Sequence, residues 1–284
     1  MKITVVTPSY NQGRYLEEAI LSVLGQGYPD LEYLVMDGGS TDGSAEIIQR
    51  YDGDLAYWVS EPDGGQAAAI NRGFEKATGD VLCWLNSDDM YLPGTLRYVA
   101  ERLAEGGSGL LFGNCVHVIE GTGQAKGSNV ERWHRVSDLR LHDYVIQPAS
   151  FWTRETWERV GPLDETLRYS FDWDWYIRAH RAGVRLVPVS RQLAVYRLHA
   201  DHKTGSRAKA REHELAEVIG RHAGPTYERL FAEMCSRYEW IRAVEHRTRQ
   251  MRVPELAPVI LKLLAPGTFR GFEAQAIRDV SMML

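Results

Sequence analysis

Four polar clusters hold the side chains best suited to chemistry, and each directly follows a short apolar run: residues 8–12, 37–43, 61–66 and 86–89. The last, Asn86-Ser-Asp-Asp89, places carboxylates just beyond Val81 to Leu85. Oxygen ligands so exposed can hold a hard divalent cation, and a cation there can neutralise two bridged phosphates. The same residues also suit a turn or helix cap ahead of Pro93. Asp172-Trp-Asp174 opens a helical pattern, so Asp172 is either a general base for an acceptor hydroxyl or an N-cap. His199, after a strand-like run, is a metal ligand or a loop histidine. Asp37 ends another run and can accept from a base or ribose edge, cap the next helix, or both.

The elements needed to position these groups follow from periodicity. Residues 3–7 read as a buried strand, and Leu16, Ala19, Ile20, Val23 and Leu24 mark one face of the next helix. Strands are expected at 31–36, 56–60 and 81–85, with helices around Ile47, Ile48 and Tyr51, over 67–77 and over 93–104. This alternation predicts an α/β fold, a doubly wound, mostly parallel sheet with helices on both faces. Ligands bind beyond the carboxyl ends of strands in such sheets, and all four clusters lie there. Farther on, strands are expected at 110–112, 116–119, 145–152, 184–188 and 193–197. A turn is expected over 121–129, a short helix over 154–160 and another from Asp172 to Gly183. Beyond residue 206 the chain reads as a helical extension.

Bulk properties narrow the classes. The 284 residues are 44% hydrophobic and 25% charged, an ordinary globular composition. A net charge of −5 argues against a nucleic-acid partner. Cys83, Cys115 and Cys235 lack metal-ligand spacing and read as reduced thiols, Cys83 in the core. The chain opens directly on a strand, leaving no room for a signal peptide, and no run approaches the roughly 20 apolar residues of a spanning helix. The expected location is cytoplasmic, with peripheral contact at the inner face of the membrane as an option.

Six segments in order resemble the family 2 glycosyltransferases, inverting enzymes of the GT-A fold. They are Thr4-Val-Val-Thr-Pro-Ser-Tyr-Asn-Gln-Gly13, Met36-Asp-Gly-Gly-Ser-Thr-Asp-Gly43, Ala69-Ile-Asn-Arg-Gly73 with Ala77-Thr-Gly-Asp80, Leu85-Asn-Ser-Asp-Asp89, Phe171-Asp-Trp-Asp174, and Tyr196-Arg-Leu-His199 with Lys203-Thr204. The resemblance covers residues 1–205 and implies a nucleotide-sugar-binding and catalytic domain there, with 206–284 as the extension. It implies a nucleotide-sugar donor, UDP-linked by preference, a saccharide or glycolipid acceptor, and Mn2+ or Mg2+ as cofactor. Pro8, Ser9, Tyr10 and Asn11 would line the nucleotide pocket, Asp37 would meet the base, and Asn71 and Arg72 would lie near base or diphosphate. Asp88 and Asp89 would serve metal and ribose, with His199 completing the metal site. Lys203 or Arg197 would reach the diphosphate; Asp172 would be the catalytic base and Asp174 its supporting neighbour. Three positions depart from the pattern: Gly38 and Asn86 stand where an Asp is common, and Phe171 where a Glu is. The neutral Asn86 is therefore left out of the metal set.

Trp133, Tyr144, Phe151, Trp152, Tyr169, Phe171, Trp173 and Trp175 form either an acceptor platform or core. In the extension, Leu215, Val218, Ile219 and His222 make one helical stripe and Leu230, Phe231, Met234, Tyr238 and Ile241 another. The apolar run 259–264 lies against protein, such as a twin subunit, or on a membrane surface. Rival functions fit less well. A sugar nucleotidyltransferase would carry a Gly-rich basic loop after the first strand, and a nicotinamide enzyme a Gly-x-Gly-x-x-Gly turn; neither is present. A catalytically silent scaffold would have lost the carboxylates that stand at 88, 89 and 172.

Overall fold

The computed structural model describes residues 1–200, 203 and 209–284, which pack as two compact units. The first comprises Met1–Glu131 and Val145–Gly205, the second Arg132–Tyr144 and Ser206–Leu284. Segment 132–144, which in sequence reads as part of the catalytic region, thus packs with the C-terminal helices.

The first unit opens with β1 (Ile3–Ser9), α1 (Gly13–Leu24), β2 (Leu31–Asp37), α2 (Ser44–Gln49), β3 (Tyr57–Ser60), α3 (Gln66–Lys76) and β4 (Val81–Trp84). β1 pairs in parallel with β2 and β4, and β2 with β3. β1 is buried along its whole length, as a central strand covered on both faces must be. Of the α1 residues chosen from periodicity, Leu16, Ala19, Ile20 and Val23 are fully buried and Leu24 is half-buried. α3 lies close on β1 because residue 73 is glycine: a Cβ there would fall 2.5 Å from Val6 Cγ1.

The chain continues through β5 (Met90–Tyr91), α4 (Thr95–Gly106), β6 (Leu110–Ile119), β7 (Gln124–Gly127), α5 (Val130–Val136), β8 (Ser150–Thr153), α6 (Arg154–Val160), α7 (Phe171–Arg181) and β9 (Leu186–Leu198). The strand order is β3-β2-β1-β4-β8-β6-β9-β5, with β7 paired to β6. β8 runs antiparallel to β4 and β6, while β6 and β9 are parallel. Four expectations change here, the first being the strand expected at 145–152, which begins only at Ser150 because Gln147–Ala149 forms a 3-10 helical turn. The runs 110–112 and 116–119 are one strand, interrupted by an irregular register at Phe112–Asn114. There, a Cβ on Gly113 would meet Leu193 Cδ1 at 2.5 Å. Likewise 184–188 and 193–197 belong to one strand, β9. The expected turn at 121–129 contains β7, a fully exposed strand with no apolar alternation to betray it.

The second unit contains α8 (Lys209–Ala223), α9 (Pro225–Ser236), α10 (Tyr238–Gln250), α11 (Ala257–Leu264), α12 (Pro266–Phe269) and α13 (Ala274–Met282). Leu215, Val218, Ile219, Leu230, Phe231, Met234 and Ile241 are buried, so both sequence stripes face its core. Segment 132–144 is tied in by Asp138 N donating to Asp279 Oδ2 at 2.9 Å. Among the described residues no helix is long and apolar enough to cross a membrane.

Candidate active site

The polar clusters at the carboxyl ends of β1, β2, β3 and β4 converge on a cavity of about 830 Å3 in the first unit. Pro8, Ser9, Tyr10, Gly38, Asp63, Gln66, Asn86, Asp88, Asp89, Asp172 and Lys203 line it, joined by Gln147, Tyr169 and Phe171. Residues from both ends of the sequence motif series therefore share one wall-to-wall space.

Asp88 sits in the turn between β4 and β5, and its Oδ2 lies 3.1 Å from His199 Nε2, just past β9. His199 is buried behind Asp88, its ring 4.6 Å from that of Tyr15. Asp89 takes a different post: it is buried, and its Oδ1 accepts from Arg197 N at 3.0 Å. Its Oδ2 is buried with no hydrogen-bond partner among the described residues. Burial, then the neighbouring Asp88 charge, push the Asp89 carboxyl well above its usual range.

Do these residues fit a divalent cation? Cis ligands on an octahedral ion with bonds of about 2.1 Å lie about 3 Å apart, which matches the Asp88–His199 spacing. Asp89 Oδ2 is in addition a buried polar atom with no hydrogen-bond partner among the described residues. Among the described residues no three His, Cys, Asp or Glu side chains are grouped to hold a metal. Of the expected set, Asp88 and His199 lie together, whereas Asp89 is held to the β9 backbone through Arg197 N.

α7 begins at Phe171, so Asp172, which also lines the cavity, is in its first turn and Ser170 holds the N-cap position. Asp172 is half-buried, and its Oδ1 accepts from Trp173 N at 2.8 Å. A carboxylate in a first helical turn is favoured by the exposed N–H groups there. Asp174 is fully buried, 2.8 Å from Arg178 Nε one turn on, and does not line the cavity. Lys203 Nζ donates to Gln66 Oε1 at 2.9 Å and lies 5.7 Å from the Phe171 ring centre.

Other expected site residues are engaged with neighbouring protein groups. Asp37 is buried, accepting from Ser40 N and Ser60 Oγ on Oδ2 and from Ser40 Oγ on Oδ1. Asn11, at φ 51°, accepts from Thr41 N, a left-handed conformation that asparagine tolerates better than most residues. Asn71 clamps the 163–165 loop, donating to Leu163 O and Glu165 Oε1 and accepting from Leu163 N. Arg72 pairs with Glu61 at 3.6 Å. Arg197 donates to Asp88 O and Glu18 and lies over the Tyr15 ring. None of these five lines the cavity.

The aromatic set divides. Phe151, Trp152, Trp173 and Trp175 are completely buried, Tyr144 nearly so, and Trp152 and Trp175 pack 4.6 Å apart in the core. Only Tyr169 and Phe171 of the eight face the cavity. Sequence reasoning passed over Gln66 and Gln147. Gln66 was detectable as the last residue of the 61–66 cluster; Gln147 lies inside an apolar run and carries no local signal. Gly38 also acquires a reason, since a Cβ there would stand 3.1 Å from the Asp63 carboxylate.

The architecture matches solved GT-A structures along the whole chain. A Staphylococcus aureus TarS fragment crystallised with UDP-GlcNAc superposes with a TM-score of 0.63 at 18% identity, covering 100% of this chain and 90% of that one. A Pyrobaculum calidifontis mannosyltransferase in complex with GDP-Man and Mn2+ gives 0.63 at 20% identity, covering 99% and 84%. These likenesses establish the fold, and the class of enzyme follows from the family. The chain belongs to glycosyl transferase family 2, whose model matches residues 4–154. An uncharacterized glycosyltransferase of Nostoc sp. is 29% identical over 233 residues, 76% of this chain and 71% of the relative. A putative teichuronic acid biosynthesis glycosyltransferase of Bacillus subtilis is 36% identical over 106 residues, 36% of this chain and 42% of that one.

Proposed function

We propose that the protein transfers a sugar from a nucleoside-diphosphate sugar, UDP-linked by preference, to a hydroxyl of a saccharide or glycolipid acceptor, with inversion and with Mn2+ or Mg2+ as cofactor. The observation that carries this reading is one cavity lined by Asp88, Asp172 and Lys203, with His199 buried 3.1 Å behind Asp88. The printed complexes of two fold neighbours, with UDP-GlcNAc and with GDP-Man and Mn2+, support the donor class and the metal.

Pro8, Ser9 and Tyr10 form the nucleotide wall; Ser9 Oγ is buried without a hydrogen-bond partner among the described residues, which suits a polar ligand. Asp88 and His199 would hold the cation, which supplies charge neutralisation at the diphosphate. Asp172 accepts the acceptor's hydroxyl proton as the new O–C1 bond forms on the face opposite the leaving group. The C1–O bond to the diphosphate breaks with its electron pair, and the Lys203 ammonium stabilises that charge. Tyr169 and Phe171 offer apolar faces to a sugar ring. Asp172→Asn removes the base while keeping the shape, and turnover should fall about 10²- to 10⁴-fold with UDP affinity retained. A variant with full turnover would take Asp172 out of this role.

A placement at the cytoplasmic face of a membrane, in surface polysaccharide or glycolipid synthesis, is supported by α11. Leu256, Val259, Leu263 and Leu264 are exposed along one side of it, next to exposed Met251. Arg247, Arg249, Arg252 and Arg270 stand near these residues in the sequence, and apolar and basic residues together suit an anionic lipid surface. Co-sedimentation with phosphatidylglycerol vesicles tests it; concentration-dependent dimerisation without vesicle binding would assign the stripe to a twin subunit instead.

A further inference from the structure

Across the cavity runs an unbroken chain of side-chain hydrogen bonds with a single direction. Lys203 Nζ donates to Gln66 Oε1 at 2.9 Å, and Gln66 Nε2 donates to Asn86 Oδ1 at 2.8 Å. Asn86 Nδ2 donates to Gln147 Oε1 at 2.9 Å, and Gln147 Nε2 ends the chain on Trp84 O at 2.9 Å. The four side chains come from separate places in the sequence: the segment past β9, the start of α3, the β4–β5 turn and the turn before β8. All four line the cavity.

The ends dictate the orientation of everything between. An ammonium only donates and a carbonyl only accepts, so each amide must turn its oxygen toward Lys203 and its nitrogen toward Trp84. Amides aligned head to tail polarise one another, and each bond strengthens the next. We infer that Gln66, Asn86 and Gln147 form a positioning relay that fixes the Lys203 ammonium in the cavity, with the buried Gln147 and the Trp84 backbone as its anchor.

The relay also gives a reason for Asn at position 86. A carboxylate there would accept from Gln66 but could donate nothing to Gln147. Gln147 would then have to reverse, setting its own oxygen against the Trp84 carbonyl. The amide both accepts and donates at the middle of the chain, which an ionised carboxylate cannot do. The consequence for binding is long-range: Gln147 helps hold the donor diphosphate by way of Lys203. This rests on the proposed role of Lys203 at the diphosphate.

A double-mutant cycle tests the relay, with the dissociation constant of UDP in the presence of Mn2+ measured by calorimetry on wild type, Gln147→Leu, Lys203→Met and the double variant. Each single change should weaken UDP by about tenfold, the size of one hydrogen bond to a charged group. The double variant should bind no more weakly than Lys203→Met alone, because Gln147 acts only through Lys203. Multiplying losses, about a hundredfold together, would overturn the relay while leaving the donor site intact. If wild type binds neither UDP nor GDP, the donor reading fails and the relay falls with it. Should Gln147→Leu fail to fold, Gln66→Met at its more accessible position takes its place in the same cycle, with the same two outcomes.

Discussion

Asp37 and Asp88 stand at equivalent places, at or just beyond the carboxyl ends of the two buried strands that flank β1, yet the protein uses them in opposite ways. The Asp37 carboxylate is enclosed by Ser40 and Ser60, which donate three hydrogen bonds to it. Asp88 instead lines the cavity and faces His199 at 3.1 Å. The first carboxylate fixes the 37–43 loop; the second presents charge to whatever enters. Position beyond a strand therefore marks where a ligand crevice lies, and the surrounding donors decide which carboxylates remain for chemistry. α7 repeats the lesson over two residues, with Asp172 in the cavity and Asp174 in a core ion pair.

Changes on either side of this division should separate activity from stability. Asp88→Asn should lower turnover about 10²- to 10³-fold, the scale of losing one preorganised electrostatic group, while the melting temperature stays near that of wild type. Asp174→Asn should do the reverse. It leaves Arg178 without its buried partner, at a cost of about 3 kcal/mol in chemical denaturation, with turnover per folded molecule unchanged.

A third enclosed carboxylate, Glu32 near the start of β2, extends the comparison to pH. Burial raises its pKa, but hydrogen bonds from Lys2, Thr4 and Thr78 outweigh this and hold it down to about 2. Its folded pKa lies below the usual 4.5, so its contribution is complete above pH 4.5 and is lost as pH falls from there toward 2. A shift of that size corresponds to roughly 3 kcal/mol. Glu32→Gln should therefore flatten the acid limb of the stability curve. The smallest effect is expected for Asp37→Asn, which reverses one acceptor against the serines: about 1–2 kcal/mol of stability and turnover within a few-fold.

Much of this was legible beforehand. The parallel strands β1, β2 and β4 announced themselves as apolar runs, and the polar clusters after them marked the cavity. Beyond that, local pattern runs out for physical reasons. β7 has no buried face, so nothing in its sequence alternates. β6 and β9 each carry small or polar residues at mid-strand, Gly113-Asn114 and Ser190-Arg191-Gln192, which break a continuous strand into two apparent ones. Segment 132–144 packs with helices that follow it by more than 60 residues, a pairing no local window contains. The clamps on Asn71 and Arg197, and the Ser60 bond to Asp37, depend on partners distant in sequence, so a motif can identify these residues without revealing that their side chains are already engaged.

The most direct test of the account is a thermal-shift measurement of wild type and Asp88→Asn with UDP alone, Mn2+ alone and both together. Ligand at about 100 times its dissociation constant adds about 2.7 kcal/mol of stability. The account predicts that UDP and Mn2+ together stabilise wild type by more than the sum of their separate effects, and that Asp88→Asn loses this excess. Equal stabilisation of both proteins, or a UDP shift indifferent to Mn2+, would contradict a metal-bridged donor site at Asp88.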